Sequence, residues 1–308
     1  MKDDAKNIQI LIQGMRNAYS KGENAMEYAR KMLVNGKNEV IATLISYDLQ
    51  SGSYISAVKS NPDFHENWSK QLAEIISPLM DSDSSILEVG CGEATTMGGL
   101  INKLDYNPNT AFGFDISWSR IHHGNKYLTE KGVKAKLFVG DLFSIPLMPD
   151  SIDIVYSSHS LEPNGGKEIE AISELLRVSR KWVVLIEPMY ELASSEARKR
   201  MDTHGYVKNL KGAAEKCGAK VIQHNLLKYT KNPLNPSGLL LLEKQEDKRI
   251  IKKQDTCWKC PITGSPLSDY GDVFISEGTG IVYPVLRGIP MLRSEHAIIA
   301  SALKKDLL

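Results

Sequence analysis

The stretch that most constrains the fold is residues 86–96, which read ILEVGCGEATT: an apolar strand that runs directly into a turn of small residues and a helix start. Gly90 and Gly92 let the backbone turn sharply and approach a ligand that a Cβ atom would exclude, and Ala94 lets the following helix pack closely on the strand. The pattern indicates a loop that binds a nucleotide cofactor. A tight turn without a ligand is the alternative for this stretch alone.

Glu88, near the end of the same strand, indicates the charge of the cofactor. A carboxylate here would repel a pyrophosphate, whereas it would attract a ligand with a cationic head group. The stretch resembles motif I, E-x-G-x-G-x-G, of the class I S-adenosylmethionine-dependent methyltransferases, with Ala94 in place of the last glycine. The resemblance implies S-adenosylmethionine as the cofactor, with its amino-acid part held at the glycine turn.

Three further strand ends carry residues that fit this cofactor. Asp115 ends an apolar run, where its carboxylate could accept from both ribose hydroxyls, although dehydrogenases also have this acid. The resemblance implies that Asp141 accepts from the adenine amine, that the backbone N–H of Leu142 meets the ring, and that Ser157 lies under the cofactor. Four such blocks in order across 86–162 favour a methyltransferase. The predicted cofactor-binding residues are Glu88, Gly90, Cys91, Gly92, Thr95, Asp115, Ile116, Asp141, Leu142 and Ser157.

Length and composition favour a compact enzyme of about two domains. The chain has 308 residues, 42% of them hydrophobic, and its 38 basic residues nearly balance 37 acidic ones. A protein that grips nucleic acid through its phosphates needs a basic excess on some face, so a nucleic-acid partner is less favoured. No N-terminal apolar segment has the length of a signal, and four cysteines are too few for a disulfide framework. We therefore expect a cytoplasmic protein without membrane insertion.

The chain divides into three parts. Residues 1–80 show helical spacing of apolar residues, at positions such as Met15, Ala29 and Leu33, and we expect a helical lid or substrate region. Within it, 46–55 is a polar and aromatic stretch with one glycine. It is predicted to be a loop between helices, either one that lines the cofactor cleft as a lid or an ordinary connection.

Residues 81–246 alternate strand and helix patterns, which predicts a doubly wound, Rossmann-like α/β core. The resemblance implies a seven-stranded sheet whose last strand is antiparallel and inserted beside the fifth. Strands are predicted near 85–89, 110–114, 136–139, 152–156, 182–186, 219–224 and 238–243.

Residues 257–308 follow a charged linker and read as a small β-rich module. Its Cys-Pro opening and its Tyr-Pro-x-x-x-Gly-Ile-Pro stretch resemble the small zinc-ribbon-like activator subunit of tRNA and release-factor methyltransferases. A tetrahedral zinc site needs four ligands, and this segment offers only Cys257, Cys260 and an unpaired His296. We therefore expect no metal, and stability from apolar strand residues instead.

The candidate catalytic residues are His159 and Glu162, which lie just after the fourth strand. His159 could take a hydroxyl proton while Glu162 orients it, or it could pack against adenosine or cap the next helix. Charged and aromatic residues after the fifth strand could shape the acceptor pocket, although long charged helices also look like this: Glu187, Tyr190, Glu191, Arg198, Arg200, Asp202, His204 and Tyr206.

The residues directly after the fourth strand also bear on the acceptor. Ser-Ser-His-Ser stands there instead of the Asn-Pro-Pro-Tyr or Asp-Pro-Pro-Tyr of enzymes that methylate amino groups of nucleic acids and glutamine. We therefore expect methylation of an O or N atom of a small-molecule or glycan acceptor, such as a sugar, in biosynthesis. The alternatives are an RNA or protein methyltransferase with a built-in activator-like module, and a non-catalytic scaffold that binds S-adenosylmethionine.

Overall fold

A computed structural model describes residues 2–32, 39–245 and 257–302 of the chain, so Leu33 and residues 246–256 of the linker region lie outside the described residues. Ten α-helices occur in those ranges: α1 Lys2–Ser20, α2 Ala25–Met32, α3 Glu39–Leu49, α4 Ser53–Ser60, α5 Pro62–Ile76, α6 Thr95–Ile101, α7 Trp118–Glu130, α8 Glu168–Val178, α9 Ser195–His204 and α10 Leu210–Lys216. No helix in these ranges has the length and apolar character needed to cross a bilayer.

The predicted loop over 46–55 is wrong in most of its length. Helix α3 continues to Leu49 and α4 begins at Ser53, so only 50–52 connect them, with Gly52 at a φ of 91°. The polar residues that suggested a loop belong to helix surfaces that contact the rest of the protein. Asp48, for example, accepts a hydrogen bond from the Ser117 hydroxyl at 3.2 Å.

The central sheet has the predicted seven strands in the order β3-β2-β1-β4-β5-β7-β6. Its strands are β1 Ser85–Val89, β2 Thr110–Asp115, β3 Lys136–Val139, β4 Ile152–Ser158, β5 Ser179–Pro188, β6 Lys220–Leu226 and β7 Ser237–Glu243. Strand β7 is antiparallel to both β5 and β6, and the other pairings are parallel. The predicted doubly wound, Rossmann-like fold is confirmed, including the inserted last strand.

Alternating side chains of the strands build two apolar layers, one on each face of the sheet. Leu87 and Val89 of β1 belong to the layer covered by α8 and α10, whereas Ile86 belongs to the layer covered by α5, α6 and α7. Because β1, β2, β3 and β4 are parallel, their carboxyl ends lie at one edge, where ligands of such sheets bind.

The C-terminal residues form a second sheet that packs into the first apolar layer. Its strands are β8 Ser268–Asp269, β9 Val273–Ser276, β10 Ile281–Leu286, β11 Ile289–Pro290 and β12 Ile298–Ile299. Most of the predicted apolar strand residues are buried: Phe274, Ile275, Val282 and Ile289, with Ile281 and Val285 partly buried against them.

Trp258 is the residue that joins the second sheet to the first. Its ring lies edge-on to Phe112, Phe138 and Phe274, with centroid distances of 5.5, 5.2 and 5.2 Å. Backbone bonds flank it, since the Met148 N–H donates to the Cys257 carbonyl at 2.7 Å. The two sheets therefore share one hydrophobic core.

We expect Trp258→Ala to lower the free energy of unfolding by about 3–5 kcal/mol, because it leaves a cavity between the two sheets. Denaturant unfolding followed by circular dichroism measures this. Ile299→Ala is the matched control, since Ile299 is 84% exposed and its loss should change stability by less than about 0.5 kcal/mol. A loss below about 1 kcal/mol for Trp258→Ala would contradict a shared core.

Candidate cofactor and acceptor site

The glycine turn between β1 and α6 places three alternate residues in left-handed backbone conformations. Gly90, Gly92 and Ala94 have φ angles of 62°, 55° and 53°. Glycine adopts this conformation freely, whereas alanine does so at a cost of about 1–2 kcal/mol. Ala94 is thus a strained substitute at a position where the resembled motif has glycine.

Asp115, at the end of β2, holds the turn in place. One of its carboxylate oxygens accepts the Gly92 N–H at 3.0 Å, and the other accepts the Ser117 N–H at 2.9 Å. Burial raises the pKa of Asp115, while Arg120 and these N–H groups favour its ionised form. The Ile116 N–H is a third donor, and a carboxylate has about four lone-pair positions, so room remains for a ribose hydroxyl.

Glu88 lies under the turn and is only 2% exposed. It accepts a hydrogen bond from the Tyr156 hydroxyl at 3.1 Å and one from the Met97 N–H in the first turn of α6. Burial raises the pKa of Glu88 to about 8, although both donors oppose the rise. Glu88 therefore stabilises the first turn of α6 through this hydrogen bond.

Glu93 is a residue of the site that the sequence analysis missed. Its carboxylate is fully buried and accepts N–H groups at the start of α4: those of Gly52 and Ile55 at 2.8 Å and of Tyr54 at 3.3 Å. A carboxylate at a helix N-terminus is favourable because it binds otherwise unpaired N–H groups. The partners lie 38–41 residues away in sequence, so no local pattern could have revealed the contact.

Arg120, on α7, was also missed, and it lies between two aromatic rings of the N-terminal helices. The guanidinium is 4.8 Å from the centre of the Tyr47 ring and 4.7 Å from that of Tyr54, and its Nε donates to the Tyr47 carbonyl at 3.0 Å. These contacts place the end of α3 and the start of α4 against the glycine turn. The sequence signals these contacts only through the two tyrosines of the 46–55 stretch, which indicate aromatic packing but do not name its partner.

The other predicted cofactor residues lie at the same edge. The Cys91 N–H donates to the Phe114 carbonyl at 2.8 Å, and the Gly140 N–H donates to the Asp115 carbonyl at 3.1 Å. The second bond brings the loop after β3 beside the end of β2. Of the remaining residues, Thr95 begins α6, Ile116 follows Asp115, Asp141 accepts the Phe143 N–H at 2.8 Å, Leu142 packs partly on the core, and Ser157 is buried near the end of β4.

The structure brings His159 and Glu162 together. Nδ1 of His159 is 2.8 Å from Glu162 Oε2, and Nε2 is 2.7 Å from the Ser237 hydroxyl, so both ring nitrogens have partners. Burial lowers the pKa of His159, but the hydrogen bond and charge of Glu162 outweigh burial and raise it above its ordinary value. The Asn235 amide also donates to Glu162 Oε2 at 3.2 Å.

Glu187, at the end of β5, fixes the loop that carries this pair. Its fully buried carboxylate accepts the N–H groups of Ser160, Leu161 and Glu162 at 3.0–3.1 Å. Burial raises the pKa of Glu187 to about 7. Other charged and aromatic residues predicted after the fifth strand bond to one another. Arg198 donates to the carbonyls of Tyr190 and Glu191, and the Tyr190 hydroxyl donates to Asp202.

Two buried polar groups beside the glycine turn have no hydrogen-bond partner within the described ranges: Nη2 of Arg120 and the Ser160 hydroxyl. A Cβ atom built on Gly92 would lie 3.6 Å from Arg120 Nη1, and one built on Gly90 would lie 2.4 Å from the Ser160 Cβ. Unpaired donors on both sides of the turn fit a polar ligand there. The residues present therefore fit an amino-acid-bearing cofactor.

Metal ligands are not clustered in the part of the chain that the structure describes, where no three His, Cys, Asp or Glu side chains are placed to share an ion. Cys260 is buried, with its sulfur 3.3 Å from the Tyr283 hydroxyl, and Cys257 is half-buried. The absence of zinc from the C-terminal module stays a prediction.

Comparisons with known proteins agree with this geometry. A family model described as a methyltransferase domain matches residues 86–181. Among solved structures, a complex of the Haloferax volcanii Trm112 methyltransferase activator with a protein described as a methyltransferase is 14% identical, with a TM-score of 0.51 and coverage of 64% of this chain and 97% of that one. No curated protein matches the sequence.

Two further structures are similar with lower scores. Magnesium protoporphyrin IX methyltransferase from Synechocystis, with bound S-adenosylhomocysteine, is 13% identical, with a TM-score of 0.47 and coverage of 61% and 86%. An S-adenosylmethionine-dependent methyltransferase from Aquifex aeolicus is 12% identical, with a TM-score of 0.43 and coverage of 56% and 88%.

The methyltransferase domain matched over 86–181, together with the sheet order and the glycine turn, supports a class I methyltransferase. The matched domain makes the chain a methyltransferase with S-adenosylmethionine as its cofactor, as the sequence predicted.

We expect Glu93→Gln to detach the start of α4, because an amide oxygen cannot satisfy three N–H donors and its NH₂ group would face them. The free energy of unfolding should fall by about 1–3 kcal/mol, and amide hydrogen exchange should accelerate over residues 52–60. Glu66→Gln is the control, since this exposed carboxylate pairs with Lys103 at the surface and its loss should leave the exchange over 52–60 unchanged. Unchanged exchange over 52–60 would contradict the role of Glu93.

We expect Glu88→Gln to flatten the pH dependence of stability. In wild type the folded Glu88, with a pKa near 8, keeps a proton that the unfolded chain loses above its ordinary pKa of 4.5, so stability is lost as pH rises between these values. From pH 5.5 to 7.5 the free energy of unfolding of wild type should fall by about 1.4 kcal/mol per pH unit relative to the variant. Glu130→Gln, at an exposed position, controls for the lost charge. Parallel pH profiles for wild type and Glu88→Gln would rule the effect out.

Proposed function

We propose that this methyltransferase transfers a methyl group to an O or N atom of a small-molecule or glycan acceptor bound beside His159 and Glu162. The observation that carries the proposal is the chemistry around this pair. Hydroxyl and amide groups surround it, from Ser237, Thr230 and Asn235, and such groups bind polyhydroxylated acceptors well.

For the cofactor, we propose that the glycine turn holds the amino-acid part and that Asp115 holds the ribose. Asp141 and the Leu142 N–H would then meet the adenine. When bound, S-adenosylmethionine supplies a methyl group on a sulfonium that leaves as a neutral thioether. The α3–α4 segment, which Glu93 and Arg120 bind to the turn, would exclude water from this cleft as a lid.

In this proposal, the His159–Glu162 pair accepts the proton that the acceptor loses. The acceptor O or N uses its lone pair to form the bond to the methyl carbon, the carbon–sulfur bond breaks, and the acceptor's proton passes to the His159–Glu162 pair. Because Ser237 engages Nε2 of His159, the acceptor reaches the ring by replacing that contact, or reaches the half-buried Glu162 directly. Either route gives the pair the proton.

A second candidate is methylation of RNA or protein, with the C-terminal residues as a built-in activator-like module. Two observations favour it: the motif resemblance of this module, and its backbone contact with the edge of the central sheet, where the Leu292 N–H donates to the Val139 carbonyl at 2.9 Å. The small-molecule acceptor is preferred because the charge balance of the chain gives no basic excess.

We expect purified protein with methyl-labelled S-adenosylmethionine to label an acceptor among nucleotide sugars or small glycans, and not RNA or protein extract. With that acceptor, His159→Gln should lower kcat about 10²- to 10⁴-fold and remove the loss of activity at low pH, because a protonated pair cannot accept another proton.

His122→Gln is the matched control for this experiment. His122 stacks on Trp118 on α7, away from the pair, and its variant should keep the wild-type pH profile. Labelling of RNA or protein alone would establish the second candidate. A His159→Gln enzyme with lower kcat but the wild-type pH profile would show that His159 only positions the acceptor.

A further inference from the structure

Arg120 is a buried cation whose partners in the described part of the chain do not satisfy it. The residue is 3% exposed, and it lies in the first turn of α7, where the Ser117 hydroxyl accepts its backbone N–H at 3.3 Å. A buried guanidinium is costly unless charged or polar partners take its N–H groups. Its surroundings therefore need an explanation beyond packing.

The rings of Tyr47 and Tyr54 explain the position of the guanidinium but not its unused donor. The two rings lie 4.8 and 4.7 Å from the guanidinium carbon, and the Tyr54 side chain also hydrogen-bonds the guanidinium, whose five N–H groups point outward in its plane. Nε donates to the Tyr47 carbonyl, but Nη2 has no partner among the described residues. Among those residues, no carboxylate lies within ion-pair distance of Arg120 either. Burial lowers the pKa of Arg120, but the nearby charges, that of Asp115 among them, raise it above its ordinary value.

The free edge of the guanidinium lies beside the glycine turn. A Cβ built on Gly92 would lie 3.1 Å from the Tyr54 ring and 3.6 Å from Arg120 Nη1, so the guanidinium is close to the backbone of the turn. The cofactor carries one anionic group, the α-carboxylate of its amino-acid part. A planar carboxylate matches the fork of an arginine with two parallel hydrogen bonds.

We propose that Arg120 binds the α-carboxylate of S-adenosylmethionine, and that the two tyrosines hold its fork in the orientation for this contact. The inference rests on the proposed placement of the cofactor's amino-acid part at the glycine turn. It makes Arg120 a determinant of specificity, which distinguishes the cofactor from its decarboxylated form.

The test compares two ligands that differ only in this carboxylate. They are S-adenosylhomocysteine and S-adenosyl-3-thiopropylamine, its decarboxylated analogue, and calorimetry measures their dissociation constants with full-length wild type, Arg120→Lys and Arg120→Met. Wild type should bind the decarboxylated ligand about 10- to 100-fold more weakly, as expected for charge-assisted hydrogen bonds. In Arg120→Met the two ligands should bind within about 3-fold of each other, with Arg120→Lys between.

The ratio of the two dissociation constants separates contact from structural damage, because both ligands meet the same folded protein. Arg180→Met is the matched control: this half-exposed arginine pairs with Asp153 at the opposite end of the strands, so the ratio should stay at the wild-type value. Equal binding of both ligands to wild type, or an unchanged ratio in Arg120→Met, would overturn the contact. If wild type bound neither ligand, the cofactor placement itself would fall, and this inference with it.

Discussion

Buried carboxylates that accept backbone N–H groups hold the site together. Asp115 joins the glycine turn to the start of α7, Glu93 joins the turn to α4, and Glu187 joins β5 to the loop that carries His159. A carboxylate taken from water without donors is costly, so each of these acids is stable only while its loop keeps one conformation. Loops without regular hydrogen bonding thereby become as well defined as the strands that carry them.

Two buried acids, Glu88 and Glu187, also make the charge of the site depend on pH. Burial raises the pKa of Glu88 to about 8 and that of Glu187 to about 7, so both carboxyls are partly protonated near neutral pH. A cation placed near them favours the ionised form and lowers these pKa values. The sulfonium of S-adenosylmethionine carries such a charge, whereas its demethylated product does not. With the cofactor placed as proposed, we therefore expect the protonation of these acids to change with the methyl transfer.

The fold could be predicted because its signals are local. Continuous apolar runs mark most of the seven strands, and Gly90 and Gly92 mark the turn, since each depends on residues close in sequence. The stretch 46–55 was mispredicted because its polar side chains serve contacts with α7, which no helical period reveals. Glu93 and Arg120 were missed for the same reason, because their partners lie on helices distant in sequence. Contacts between polar groups that are distant in sequence are therefore the hardest feature to predict from a single sequence.

The C-terminal sheet bears on the site through the loop after β3. Leu292 binds the backbone of Val139, two residues before Asp141, and the Ser144 hydroxyl donates to the Pro261 carbonyl at 3.3 Å on the other side. Between these contacts the ring of Trp258 packs against Phe112 and Phe138 beneath the same strands. The loop that carries Asp141 is thus held at both ends by residues more than a hundred positions later. We therefore expect a change that loosens the second sheet to affect this loop more than the glycine turn, which lies on the other side of β2.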